Sequence, residues 1–141
     1  AGTHNIAGIA GLLEGLRYVS RVGIDRIFTH EEALVRRAAR ALSRIPGVTV
    51  YAAGEGTRQA GVLSFRIAGM DCEEAGAALG EMGIAVRAGL HCAPLAHQSA
   101  GTLENGTIRA SFSAFNSLCE TERFVRAVGC IAAGAGKGKS S

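Results

Sequence analysis

The sequence has no tryptophan, two tyrosines, two prolines and only two lysines, and each shortage removes a class of function. So few aromatic rings leave no base-stacking surface, and the arginines are spread along the chain, so no nucleic-acid interface is expected. No run approaches the roughly 20 apolar residues of a membrane span. The opening Ala1-Gly2-Thr3-His4-Asn5 lacks the basic-then-apolar order of an export signal, which makes a cytoplasmic location the expectation. The four cysteines, Cys72, Cys92, Cys119 and Cys130, are widely separated with no Cys-x-x-Cys pair. No zinc site is therefore expected. A disulfide framework does not suit a chain this apolar without an export signal. The scarcity of lysine bears most on chemistry. Lys137 and Lys139 both fall in a terminal Gly-Lys-Gly-Lys-Ser-Ser run, flexible by composition. A reaction that needs a buried, positioned lysine cannot be completed by these residues alone.

What is present suits one domain. A chain of 141 residues can bury about 68–70% of its unfolded surface. Apolar residues at helical spacing run from Ile6 to Val19, with Thr3 or Asn5 as cap, Gly23 as stop, and Gly8, Gly11 and Gly15 available for close packing. A second helical pattern runs from Ile24 to Ile45, with a bend expected at the Thr29–Glu32 capping box. Its arginines, Arg36, Arg37, Arg40 and Arg44, read as a solvated face. Strands are expected at Val48–Tyr51, Val62–Ile67, Ile84–Val86 and Thr107–Phe112. Asp71 with Glu74 opens a helix to about Met82, and Ser117 with Glu120 opens a last helix to about Ala133. The order predicts an α+β fold: a small, mainly antiparallel sheet with helices packed on one face. Residues 1–23 read as a connecting helix, 24–133 as the domain and 134–141 as a flexible tail.

The chemistry gathers after the strand expected at Ile84–Val86. Arg87 ends it, Gly89 permits a turn, and His91-Cys92 sits on the following loop, stiffened by Pro94. A thiol flanked by positive charge has a lowered pKa, and the thiolate is the nucleophile. The competing reading is a small buried hydrophobe. Cys72, Cys119 and Cys130 read as packing residues, and His97 as a surface or loop-capping histidine. Arg109 stands at the polar phase of its strand, where its fork suits a carboxylate.

Arg87-x-Gly89-x-His91-Cys92-Ala93-Pro94, then Gly106-Thr107-Ile108-Arg109-Ala110-Ser111 and Phe115-Asn116, resemble the C-terminal part of a class V aminotransferase. The nearest branch is the cysteine desulfurases with a short cysteine loop, which include the selenocysteine lyases. Gly2-Thr3-His4-Asn5 resembles that family's Gly-Thr-Pro-Asn segment, and the likeness extends to about Ile131. The resemblance implies the C-terminal domain of a fold type I enzyme that uses pyridoxal phosphate as electron sink. It implies that Cys92 takes sulfur from cysteine as a persulfide and leaves alanine, that Arg109 binds the substrate carboxylate, and that Arg87 and His91 flank the loop on the substrate side. It implies that Thr3 contacts the cofactor phosphate of the partner subunit in a homodimer. A missing N-terminal cofactor-binding domain and a sulfur-acceptor protein are the implied partners. Leu90 replaces a common histidine and His4 a common proline, and the family's lysine and ring-binding aspartate have no counterpart here. The fragment alone is therefore expected to be inactive. Two other readings stand beside this one: a free-standing thiol or persulfide carrier, and a metal site from His91, Cys92 and His97.

Overall fold

The computed structural model describes residues 2–54 and 56–137. Two long helices come first, α1 (Ile6–Val22) and α2 (Ile24–Leu42). Asn5 caps α1 by accepting from the Gly8 amide at 2.9 Å. Gly23, at φ +92°, separates the two helices, a conformation open to glycine at little cost. The break needs no second site, so α2 runs straight through Thr29, where a bend was expected. Glu32 is instead engaged by Arg36 and by the Gln59 amide.

The sheet has four strands: β1 (Val48–Tyr51), β2 (Val62–Ile67), β3 (Arg87–Gly89) and β4 (Thr107–Ser111). Their order is β1-β2-β4-β3, and every neighbouring pair is antiparallel. This is the expected α+β architecture. β2 alternates as its sequence implies, with Leu63, Phe65 and Ile67 buried. They meet Ile108 and Ala110 of β4, and the layer is sealed by α2, by α3 (Cys72–Glu81) and by α5 (Leu118–Lys137). Leu34, Val35, Ala38 and Leu42 of α2, Ala75 and Leu79 of α3, and Phe124 and Val128 of α5 complete the core. Phe124 meets Phe65 edge-on at 5.6 Å. Each such ring buried is worth about 1.5–3 kcal/mol.

Three expectations shift. The strand expected at Ile84–Val86 lies three residues later, at Arg87–Gly89. The Ile84 amide donates back to Leu79 at the end of α3, so Ile84 belongs to the helix exit, while Ile84 and Val86 pack on the core without joining the ladder. A short helix that the sequence reading lacked, α4 (Pro94–Ser99), follows, with Pro94 in its first turn. The last helix continues past Ala133 to Lys137, so the first part of the expected tail is helical, while 138–141 lie outside the described residues. α1 buries none of its residues, and none of the described residues packs against Gly11 or Gly15. Tyr18 stacks on Phe115 with ring centroids 5.2 Å apart.

Candidate active site

Strand alternation puts Ser64, Thr107 and Arg109 on the sheet face away from the helices, because Leu63, Phe65, Ile108 and Ala110 face the core. Register then sets Ser64 opposite Arg109 and Arg109 opposite Arg87, in one row across β2, β4 and β3. Directly opposed residues hold their Cβ atoms about 4.5–5.5 Å apart. Two guanidinium-bearing chains are therefore neighbours, and neither makes a salt bridge among the described residues. The Arg109 Nε is buried and has no partner among the described residues. A row of cations with no internal counter-charge suits a carboxylate from elsewhere.

The loop after β3 is built on unusual backbone. Gly89 lies at φ +105°, His91 at +51° and Cys92 at +58°. Left-handed conformation in a non-glycine residue costs of order 1–3 kcal/mol. The surroundings hold it. The Ala93 amide donates to the Leu90 carbonyl at 2.9 Å, closing the turn. His91 Nε2 lies 3.1 Å from the Thr107 carbonyl of β4. A carbonyl only accepts, so Nε2 carries the proton and Nδ1 of the neutral ring keeps its lone pair. That Nδ1 is buried with no partner among the described residues, as is the Thr107 hydroxyl. The ring's pKa is pushed below its ordinary value of 6.5, first by burial and then by the charges of Arg109, His97 and Arg87, against the opposing pull of the Thr107 bond. His91 is accordingly a neutral base at pH 7.

Cys92 is exposed at the crest of this turn. Behind it, His97 is buried, which overturns the surface half of its surface-or-loop-capping reading. Its Nδ1 shares a 2.8 Å hydrogen bond with the Thr102 hydroxyl, and the Thr102 amide donates to the His97 carbonyl at the same distance. This bond braces the far end of the loop, and the His91 and His97 rings lie 6.0 Å apart. Below the turn, Gly106 and Gly89 are in backbone contact: a Cβ on Gly106 would sit 2.9 Å from the Gly89 Cα.

His91, Arg87 and Arg109 thus share one edge of the open face, with Cys92 exposed on the turn next to His91. Thr3 is exposed in the segment before α1 and makes no side-chain hydrogen bond among the described residues. Cys72 is buried, as expected, but Cys119 and Cys130 are exposed rather than packed. Each stands two residues from the buried Thr121 or Val128, which on a helix is about 200° away from the core stripe. Thr107 and Ser64 were missed as site residues, although the period-2 phase that singled out Arg109 also applied to Thr107. Among the described residues no group of three or more His, Cys, Asp and Glu side chains is placed to hold a metal ion.

A family model described as aminotransferase class V matches residues 1–124. The chain belongs to the class V aminotransferase family. It is 47% identical over 134 residues to a probable cysteine desulfurase of Mycolicibacterium paratuberculosis, covering 95% of this chain and 19% of that protein. Its fold matches the apo structure of a cysteine desulfurase from Thermococcus onnurineus, with a TM-score of 0.86 and 39% identity, over 95% of this chain and 33% of that one. The S-sulfonic acid form of an Escherichia coli cysteine desulfurase matches with a TM-score of 0.78 and 32% identity, over 91% of this chain and 31% of that one. The chain spans about a fifth of the length of the curated relative and a third of the solved ones.

The pyridoxal phosphate that this class V aminotransferase fold implies needs a lysine, and the described residues do not fit it as holder. Lys137 is the last residue of α5, away in sequence from the β3–α4 loop and β4, and Lys139 lies outside the described residues. What the open face offers is two opposed guanidinium groups without a counter-charge among the described residues, and a thiol.

Proposed function

We propose that this chain works as the C-terminal domain of a pyridoxal-phosphate-dependent cysteine desulfurase, with Cys92 as the sulfur-accepting thiol. The observation that carries this reading is an exposed thiol on a left-handed turn, next to a neutral histidine with a free Nδ1, at the end of a strand that carries Arg87 opposite Arg109. Arg109 grips the substrate carboxylate, aided by Arg87, which brings the substrate sulfur toward the loop. His91 accepts the Cys92 proton at Nδ1. The Cys92 thiolate attacks the sulfur of the bound cysteine. The new S–S bond leaves a persulfide on Cys92, the Cβ–S bond breaks with its electron pair going to carbon, and that carbon takes a proton and departs in alanine. The two sulfurs are together oxidised by the two electrons that the carbon gains. The cofactor, held by polypeptide outside this chain, supplies the electron sink that makes this bond labile. Thr3 contacts its phosphate across a homodimer, and an acceptor protein takes the persulfide.

The test is alanine release from cysteine by the full product of the gene that encodes these residues. Activity is expected in the parent, with at least about a hundredfold loss in Cys92→Ser. The 141-residue chain with added pyridoxal phosphate should show neither turnover nor a stable band of bound cofactor. Equal activity in Cys92→Ser would remove the assigned role. The lack of a suitable lysine among the described residues also supports a second reading, a thiol carrier charged by a separate enzyme. An intact mass near that of 141 residues for the native product would favour the carrier, and one several-fold larger the desulfurase.

A further inference from the structure

The helical side of the molecule has a second charged feature. Arg36, Arg37, Arg40 and Arg44, which read in sequence as a solvated face, line a groove between α2 and α5 in the folded chain, closed on its far side by Thr121, Glu122, Val125 and Arg126. The groove encloses about 700 Å³. Two of its arginines are neutralised: Arg36 by Glu32 at 2.9 Å and Arg37 by Glu122 at 2.6 Å. Arg40, Arg44 and Arg126 are exposed and make no salt bridge among the described residues. With those two glutamates subtracted, the five arginines of this face account for the whole net charge of the chain, +3.

We propose that the α2–α5 groove docks an acidic segment of a partner protein through Arg40, Arg44 and Arg126. Arg36 on α2 and Arg44, in the turn just past its end, are eight residues apart, or about 12 Å at helical rise. That length matches about two turns of a helix bearing a few carboxylates, each within reach of a guanidinium fork. No aromatic ring lines the groove, so a single-stranded nucleic acid would find charge but no stacking platform. The groove lies on the helical side of the sheet, opposite the face that carries Arg87 and Arg109, so a docked segment leaves Cys92 open.

The experiment is fluorescence anisotropy of a labelled helical peptide of glutamate and alanine, titrated with the full 141-residue chain at low and at physiological salt. Saturable binding that weakens with salt is expected. Reversing Arg40→Glu, Arg44→Glu and Arg126→Glu together should weaken it at least about tenfold. Reversing the exposed Arg21→Glu and Arg26→Glu, outside the groove, should change it by less than about twofold. Circular dichroism checks that each variant folds, and the neutral pair Arg40→Gln with Arg44→Gln replaces the triple variant if it does not. No binding by the parent, equal binding by the groove variants, or tighter binding of single-stranded RNA or of anionic vesicles than of the peptide would each overturn the proposal.

Discussion

The two faces of the four-stranded sheet are built on opposite terms. The helical face is saturated: Leu63, Phe65, Ile67 and Ile108 are sealed under α2, α3 and α5. The open face is unsatisfied: its arginines oppose each other in register, and the buried polar atoms without partners among the described residues, on His91, Thr107 and Arg109, all lie there or at its edge. Buried polar groups are normally paired, and an unpaired one costs about 1–3 kcal/mol. One face therefore supplies the stability that the other spends on readiness for a ligand.

The sharpest way to break this contrast is to cut into each face. Phe65→Ala should lower unfolding stability by about 3–5 kcal/mol in a urea titration, because a fully buried ring leaves a cavity. A loss below about 1 kcal/mol would mean that the helical face is not the stabilising one. Gly106→Ala comes next, at about 1–3 kcal/mol, since its Cβ would press on the Gly89 backbone at φ +60°. That variant should also slow alkylation at Cys92 while leaving Cys119 unchanged, which separates a displaced loop from general loosening. Arg87→Gln should go the other way, gaining about 0.2–0.5 kcal/mol by removing a like charge opposite Arg109. A core-sized loss there would erase the distinction between the faces.

The smallest effect is in pH. Burial and nearby cations depress the His91 pKa in the folded chain below 6.5. Between the two values the unfolded chain binds the extra proton, so the stability contributed by the neutral ring is full above about 6.5 and is lost as pH falls toward the folded value. Urea midpoints should drop on acidification in the parent and drop less in His91→Gln. Equal slopes would show that His91 is not held neutral.

Much of this was legible in residues. The alternation Leu63-Ser64-Phe65-Arg66-Ile67 assigns a half-buried strand, and the Asp71 and Ser117 capping boxes open α3 and α5 where expected. Cys92 was legible as a loop thiol because Gly89 and Pro94 bracket it. The β3 boundary was not, because apolar content marks Ile84–Val86 while hydrogen bonding decides the ladder, and the Ile84 amide is spent on α3. The burial of His97 was not legible because a lone histidine carries no periodic signal, and its Thr102 partner is set by how the loop folds back. The exposure of Cys119 and Cys130 follows from their angle on α5, which composition does not reveal.

The amino-acid order by itself determined the fold class, most of the elements apart from α4 and the bounds of β3, and the polar phase of Arg109, since local periodicity and capping are properties of neighbours along the chain. Only the tertiary structure decided that Arg87 faces Arg109, that His91 Nδ1 has no partner among the described residues, and that three arginines of α2 and Arg44 just past its end line a groove. Register, burial and desolvation are set by residues distant in sequence, and no local pattern encodes them.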